Sequence, residues 1–180
     1  MAPFDKWLAE AGAFRRRAGR PLVTLSYAQS LDGSITTRRG VPQAISGPDS
    51  LVLTHQLRAA HDAILVGIGT ILADNPRLTV RLVEGKDPQP VVLDTHLRFP
   101  LYANLLQHPS PPWIATSELA EAQKSAALEA AGARLLRLPT QSADEIDLAL
   151  LLERLASLEI DSLLVEGGAR VITAFLRQRL

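Results

Sequence analysis

Cysteine is absent from the 180-residue sequence, which excludes disulfide bonds and thiolate metal sites. No apolar run approaches the roughly 20 residues that a membrane-spanning helix needs, and the N-terminal segment MAPFDKW lacks the apolar centre of a signal peptide. Neither sign of charge is in excess, since Lys plus Arg and Asp plus Glu each number 19. A general attraction to nucleic acid or to an anionic membrane is therefore not expected. We expect a cytoplasmic protein whose partner is a small molecule.

Histidine is scarce and scattered, which argues against a metal centre. His55 and His61 lie six positions apart and would not share one face of a helix, and His96 and His108 lie far away in the sequence. We expect no bound metal. The hydrophobic content of 47% is typical of a globular chain of one domain.

The most informative stretch is residues 61–81. Residues 63–66 (AILV) form a short apolar run bounded by charge and glycine, which is typical of a strand buried on both faces of a parallel sheet. Gly67 and Gly69 follow, and glycine lets the backbone approach a ligand closely. A helical turn over residues 70–73 would then direct backbone N–H groups towards that ligand. This order of elements predicts a phosphate or nucleotide site.

A Rossmann dinucleotide site is the first alternative, because a Gly-x-Gly pattern follows a strand. The third glycine of that pattern is replaced by Leu72, and Asn75-Pro76 ends the helix before it could cross the sheet. The sequence therefore disfavours a Rossmann dehydrogenase.

A second glycine-rich segment repeats the arrangement near the C-terminus. Residues 162–165 (SLLV) predict a buried strand, which is followed by Glu166, Gly167, Gly168 and a helix that begins near Ala169. A helix start after glycines suits an anion such as a pyrophosphate, although tight packing alone could also require the glycines. Two such segments in one chain favour a nucleotide site.

The remaining pattern alternates strands and helices, which predicts an α/β fold with a largely parallel sheet. Ser46 and Asp49 have the spacing of a capping box for a helix over residues 48–60. The apolar contacts of this helix would come from Leu51, Leu53 (or Val52), Leu57 and Ala60. The other predicted helices are residues 4–18, 117–131 (with Ser117 as N-cap) and 143–158, and the other predicted strands are residues 21–28, 89–94, 113–116 and 133–138.

Four segments resemble the riboflavin-biosynthesis reductases, which comprise the C-terminal domain of a bifunctional deaminase-reductase and its stand-alone archaeal and fungal relatives. The longest is DAILVGIGTILADNPRLTVR at residues 62–81; the others are RPLVTLSYAQSLDG at 20–33, LRA at 57–59 and EGG at 166–168. The resemblance covers residues 20–180 and implies a dihydrofolate-reductase-like, mostly parallel central sheet flanked by helices. Residues 1–19 would be a helical extension, and the final strands of the family would be missing from this chain.

The resemblance implies an NADPH-dependent enzyme that reduces a ribosylamino-pyrimidine 5′-phosphate to its ribitylamino form. It also implies a homodimer. The substrate-binding residues would be Arg58, Leu78, Arg81 and Glu166. Asp32 and Glu166 are candidate proton donors, and bound water is an equal alternative. The residues expected to contact NADPH are Ala28, Gly67, Gly69, Thr70, Asp74, Thr95, Gly167, Gly168, Ala169, Arg170 and Val171.

Three departures from the family pattern keep other functions open. Many bifunctional members have lysine where this chain has Ser26, and Pro42 and Ala44 replace residues that often contact substrate. A dihydrofolate-reductase-like NADPH oxidoreductase with a different substrate is one alternative, and a non-catalytic nucleotide-binding module is another. Because 19 residues leave no room for a preceding deaminase domain, we expect a stand-alone reductase.

Overall fold

A six-stranded parallel sheet is the centre of the molecule. The computed structural model describes residues 4–35, 45–142 and 145–180. Within these residues the sheet has the order β1-β8-β2-β3-β4-β5, with every neighbouring pair parallel. The predicted α/β class with a mostly parallel sheet is confirmed. The strands are β1 (Leu22–Leu25), β2 (Ala63–Gly67), β3 (Gln89–Leu93), β4 (Trp113–Ser117), β5 (Arg134–Leu138), a separate antiparallel pair β6 (Thr140–Ser142) and β7 (Glu145–Ile146), and β8 (Ser162–Val165).

Helices cover both faces of this sheet. They are α1 (Asp5–Leu8), α2 (Ala11–Ala18), α3 (Pro48–Ala60), α4 (Ile68–Asp74), α5 (Ala122–Ala130), α6 (Leu148–Ser157) and α7 (Ala169–Gln178), with a 3₁₀ turn at Asn104–Gln107. Among the described residues, we find no helix that combines the length and the apolar character needed to cross a membrane. The same residues contain no group of three or more potential metal ligands.

The side chains of β2 show how the strands divide the core. Leu65 packs on one face with α6 and with Phe175 of α7, whereas Ile64 and Val66 pack on the other face with Ile71 of α4. All five residues of β2 are buried, as expected for a strand in the middle of a parallel sheet. Each face of the sheet thus has its own apolar cluster.

The predicted bounds of α3 are confirmed, but of its predicted apolar contacts only Leu57 packs against the core, on the α4 face. The N-cap is Gly47, with Pro48 as the first helical residue, and the predicted capping box from Ser46 does not form. Leu51 and Leu53 remain 48% and 45% exposed, and His55 is the buried residue of this helix. Apolar spacing alone therefore misjudged most of the face of α3 that points inward.

Two other helices begin later than predicted. Ser117 lies in β4 rather than at a helix start, and α5 begins at Ala122. Helix α6 begins at Leu148 because the Asp147 carboxylate accepts hydrogen bonds from the N–H groups of Ala149 and Leu150. The predicted helix over residues 4–18 is divided into α1 and α2. Helix α2 is ended by Gly19, its C-cap residue, whose backbone has a left-handed conformation.

A single carboxylate joins the starts of β2 and β8. Asp62 Oδ2 accepts hydrogen bonds from Asp161 N (3.0 Å), Ser162 N (2.8 Å) and Ser162 Oγ (2.9 Å). In return, Ser162 Oγ accepts the N–H of Asp62 at 3.0 Å. Arg15 of α2 forms an ion pair with Asp161 beside them. The amino edge of the sheet is thus closed by reciprocal hydrogen bonds.

Candidate functional site

The opposite, carboxyl edge of the sheet brings the predicted site segments together. Val165 of β8 is in register with Leu25 of β1 on one side and with Leu65 of β2 on the other. The chain therefore leaves three neighbouring strands at the same level, and Ser26, Glu166 and Gly67 follow within two residues of these positions. In parallel α/β sheets this edge is where ligands bind.

Two helices begin at this edge directly after glycine. Gly67 is the N-cap of α4 and Gly168 is the N-cap of α7, and both have extended backbone conformations. Glycine has no side chain with which to cap the first turn, whereas α6 is capped by Asp147. Backbone N–H groups at the start of α7 are consequently directed to the carboxyl edge, where they favour an anion. Ala169 and Arg170 of this first turn are exposed.

The four glycines of the two motifs divide into two pairs. A Cβ atom placed on Gly167 would lie 2.6 Å from Cβ of Val171, and one on Gly67 would lie 2.8 Å from Cγ2 of Val171. For these two positions, packing against one side chain explains the glycine. Among the described residues, no heavy atom comes within 4 Å of a Cβ placed on Gly69 or Gly168. Space for a ligand therefore exists next to Gly69 and Gly168.

Arg58 and Glu166 form a bidentate ion pair at the same edge. Arg58 Nε donates to Glu166 Oε1 at 2.9 Å, and Nη2 donates to Oε2 at 2.6 Å. The side chains are 12% and 14% exposed, so the pair is shielded from water and its geometry is well defined. Sequence spacing gave no indication of this pair, because 108 residues separate the partners.

Arg58 and Arg81 converge on one carbonyl oxygen. Nη1 of Arg58 donates to the carbonyl of Thr79 at 3.2 Å, and Nη1 of Arg81 donates to the same oxygen at 3.3 Å and to Thr79 Oγ1 at 2.7 Å. Arg81 is exposed. Two guanidinium groups beside each other provide several N–H donors for an oxyanion.

Leu78 directly precedes Thr79 in the chain. Its side chain is 2% exposed and packs in the apolar core on the α4 face. Its φ of 56° lies in the left-handed region, which is unusual for a residue other than glycine. The side chain of Leu78 thus faces the core, which leaves only its backbone for contact with a ligand.

The other predicted cofactor residues lie in the segments that follow β1, β2 and β3. Ala28 is half-buried just after β1, Thr70 is half-buried in α4, and Asp74 is exposed at the end of α4. Thr95 is the second residue after β3, and its carbonyl accepts the N–H of Ser117 at 3.1 Å. Pro42 and Ala44 lie outside the described residues.

Asp32 occupies a turn after β1. Its Oδ1 accepts hydrogen bonds from Ser30 Oγ at 2.5 Å and from Ser34 N at 3.0 Å. The Ser30 hydroxyl, followed by the Ser34 N–H, lowers the pKa of this exposed carboxyl below its usual value. The carboxylate therefore stabilises the turn and is poorly suited to donating a proton at neutral pH.

Two buried polar residues near this edge were given no role by the sequence. Asp94, which directly follows β3, is 1% exposed, and its Oδ2 accepts the N–H of Phe99 at 2.7 Å. Burial raises the pKa of Asp94 above its usual value. His55 is 4% exposed, and its Nδ1 accepts the N–H of Arg81 at 3.0 Å. The sequence signal for a role of His55 was its position one helical turn before Arg58, which places both side chains on one face of the helix.

Comparison with known proteins places this geometry in one family. The family model described as the RibD C-terminal domain matches residues 21–180. The riboflavin biosynthesis protein RibD of Aquifex aeolicus is 38% identical over 160 residues, which represent 88% of this chain and 43% of that protein. The 2,5-diamino-6-ribosylamino-4(3H)-pyrimidinone 5′-phosphate reductase of Methanothermobacter thermautotrophicus is 42% identical over 159 residues, or 83% of this chain and 68% of that protein. The chain thus spans less than half of that RibD relative and about two thirds of the archaeal reductase.

Solved structures agree with this assignment. Acinetobacter baumannii RibD (form 1) superposes with a TM-score of 0.81 at 29% identity and covers 95% of this chain and 47% of its own. The Saccharomyces cerevisiae riboflavin biosynthesis reductase Rib7 superposes with a TM-score of 0.70 at 29% identity. The match covers 93% of this chain and 76% of the Rib7 chain. The dihydrofolate-reductase-like fold expected from the sequence is confirmed. The chain belongs to the RibD C-terminal domain family.

Proposed function

We propose that this chain is an NADPH-dependent reductase of a ribosylamino-pyrimidine 5′-phosphate in riboflavin biosynthesis. The observation that carries the proposal is the arrangement at the carboxyl edge, where the glycine-initiated α7 lies next to the paired Arg58, Arg81 and Glu166. The archaeal relative supports 2,5-diamino-6-ribosylamino-4(3H)-pyrimidinone 5′-phosphate as the first substrate to test. The aminouracil counterpart is the second.

A reductase family of this kind implies a nicotinamide cofactor, and the residues present fit one. The space next to Gly69 and Gly168 can accept a ligand that lies against the backbone. The N–H groups of Ala169 and Arg170 would hold its pyrophosphate, since they begin a ten-residue helix. Gly67, Gly167 and Val171 would support this surface through packing, and Ala28, Thr70, Asp74 and Thr95 would line the rest. When bound, NADPH supplies the hydride.

The substrate would be held on the arginine side of the edge. Arg81 is exposed and would bind the phosphate or the pyrimidine oxygens, whereas Arg58 is largely engaged by Glu166 and Thr79. Leu78 would contribute through its backbone. Glu166 would orient Arg58 and the polar pyrimidine edge. This arrangement would hold the opened sugar close to the cofactor.

In the ring-opened sugar C1 is the carbon of a C=N imine, so the reaction adds one hydride to C1, breaks the π bond of that imine and adds one proton to the nitrogen that receives the electron pair. Neither carboxylate proposed from the sequence is well arranged to supply the proton. Asp32 has a lowered pKa and caps its own turn, and both oxygens of Glu166 accept hydrogen bonds from Arg58. We therefore assign the proton to water.

The test is NADPH oxidation by the purified chain with each of the two ribosylamino phosphates. We expect turnover of the diaminopyrimidinone, with a ribitylamino product identified by mass spectrometry. Turnover of the aminouracil alone would change the substrate. Tight NADPH binding without consumption of either compound would favour a related oxidoreductase with another substrate or a non-catalytic binding module.

A homodimer, a cytoplasmic location and the division at residues 19 and 20 remain predictions. Exposed apolar side chains at Tyr27, Leu31, Leu51 and Leu53 support a partner surface. Light scattering would distinguish a dimer from a monomer, and a Leu53→Glu variant that stays dimeric would contradict the involvement of α3.

A further inference from the structure

His55 lies between the two arginines without being part of the ligand surface. It is on α3, three residues before Arg58, so that both side chains project from the same face of that helix. Its ring is buried, with 4% of the residue exposed. Direct contact with a substrate is therefore not its role, and its function must act through its neighbours.

The imidazole connects α3 with the segment that carries Arg81. Nδ1 of His55 accepts a hydrogen bond from the backbone N–H of Arg81 at 3.0 Å, while Arg58 donates to the carbonyl of Thr79 at 3.2 Å. Two hydrogen bonds from one helix thus fix residues 79–81. An Nδ1 that accepts a hydrogen bond has no proton, so the imidazole is neutral in this arrangement.

The surrounding charges oppose protonation of this ring. Burial lowers the pKa of His55 most strongly, and Arg58 on the same helix and Arg81 on the facing segment lower it further. Glu166, after β8, acts in the opposite direction. Protonation would remove the acceptor for Arg81 N–H and would add a positive charge next to two arginines.

We propose that neutral His55 is a positioning residue for the arginine site at Arg81, where it fixes the backbone of Arg81 so that the exposed Arg81 guanidinium faces a phosphate-bearing substrate. This inference deepens the proposed function and rests on it for the identity of the substrate. The positioning itself concerns any phosphosugar that binds at Arg81. It can therefore be tested without turnover.

The experiment compares His55→Leu with His55→Asn in the full chain, with ribose 5-phosphate as the probe. Asparagine can place its Oδ1 near the position of Nδ1 and accept the Arg81 N–H, whereas leucine cannot. We expect His55→Leu to weaken ribose 5-phosphate binding about tenfold and His55→Asn to stay within about threefold of wild type, which corresponds to the loss and retention of one hydrogen-bond acceptor. NADPH affinity should be the same in all three proteins.

Two further readouts separate positioning from a general effect on stability. Hydrogen exchange at the Arg81 amide should be faster in His55→Leu than in His55→Asn. Ribose 5-phosphate affinity of the wild type should fall as the pH drops through the lowered pKa of His55, and this part of the profile should be missing in His55→Asn. Protonation of the phosphate itself affects every variant equally and cancels in the comparison.

Wild-type affinity in His55→Leu would overturn the inference, as would an equal loss in both variants. A wild-type chain that does not bind ribose 5-phosphate would overturn the anion site itself. If the wild type binds this probe but reduces neither pyrimidine, the proposed reductase function fails, while the binding ratios of the two variants still decide the role of His55.

Discussion

At the amino edge of the sheet, the Asp62 carboxylate satisfies three donors of Asp161 and Ser162. At the carboxyl edge, the N-caps of α4 and α7 are glycines, which have no side chain that could accept a hydrogen bond from the first turn. The first edge has its polar groups paired within the protein, and the second directs helix N–H groups to a space that a ligand can occupy. We infer that the amino edge serves stability alone, whereas the carboxyl edge combines a binding surface with the packing positions Gly67 and Gly167. Substitutions at the amino edge should therefore affect stability without binding.

The largest effect should come from Gly167→Ala, which would test whether the carboxyl edge also contains structural positions. The new Cβ would lie 2.6 Å from Cβ of Val171, an atom that no rotation can move away. We expect a loss of about 3 kcal/mol in the free energy of unfolding, as for overpacking in a core. Chemical denaturation measures it. Gly168→Ala, with open space at the same atom, is the matched control and should retain stability while weakening NADPH binding.

Gly67→Ala extends this test through a double substitution. Its Cβ would meet Cγ2 of Val171 at 2.8 Å, an atom that Val171→Ala removes. The double variant should therefore be more stable than Gly67→Ala alone, whereas Val171→Ala should not rescue Gly167→Ala. Equal rescue at both glycines would contradict the packing explanation.

Asp62→Ala should remove the hydrogen bonds that join the starts of β2 and β8 at the amino edge. It leaves the N–H groups of Asp161 and Ser162 and the Ser162 hydroxyl without their acceptor, which we expect to cost about 2 kcal/mol of unfolding free energy. Thermal denaturation would report the loss, and NADPH affinity should not change. Asp62→Asn retains one acceptor oxygen and should lose less stability. A variant that weakens NADPH binding as much as stability would show that the two edges are not independent.

Arg81→Ala tests the binding role of the carboxyl edge without disturbing its packing. Removal of an exposed guanidinium should raise the KM for the pyrimidine substrate about tenfold with little change in stability. Steady-state kinetics with each substrate varied in turn separates this effect from NADPH affinity. Arg81→Lys should recover part of the loss, because lysine keeps the charge without the planar fork. An unchanged KM would remove Arg81 from the substrate site.

The smallest effect should be the pH dependence contributed by Asp94. Because burial raises its folded-state pKa, this group stabilises the fold fully below its unfolded pKa, and that contribution declines as the pH rises through the folded pKa. Asp94→Asn can still accept the Phe99 N–H but does not titrate. Its unfolding free energy should fall less than that of wild type between acidic and neutral pH. Parallel curves for the two proteins would contradict this assignment.

The sequence predicted the parts of the fold that depend on local pattern. The apolar run at residues 63–66 and the bounds of α3 and the start of α7 are confirmed, because strand burial and helix boundaries are encoded within a few residues. The prediction that Leu51 and Leu53 face the core was wrong, whereas the prediction for Leu57 is confirmed. The burial of His55 was missed because it depends on Arg81, which follows it by 26 residues. The pairing of Arg58 with Glu166 was missed for the same reason.

The site was predicted as separate segments rather than as an arrangement. Resemblance named both arginines, the glutamate and all four glycines, and the parallel register then brought their segments to one edge. The sequence could not distinguish Gly67 and Gly167 from Gly69 and Gly168. That distinction depends on where Val171 points, which is a property of packing between elements.

Val171 contacts the space next to both Gly67 and Gly167, so one side chain sets the distance between the segments that follow β2 and β8. The three positions consequently form a unit in which a change at one alters what the other two tolerate. Among related sequences, we expect a larger residue at position 67 to occur together with a smaller one at position 171, whereas position 167 should stay glycine as long as residue 171 has a Cβ. A redesign of the proposed cofactor surface would have to select residues 67, 167 and 171 together.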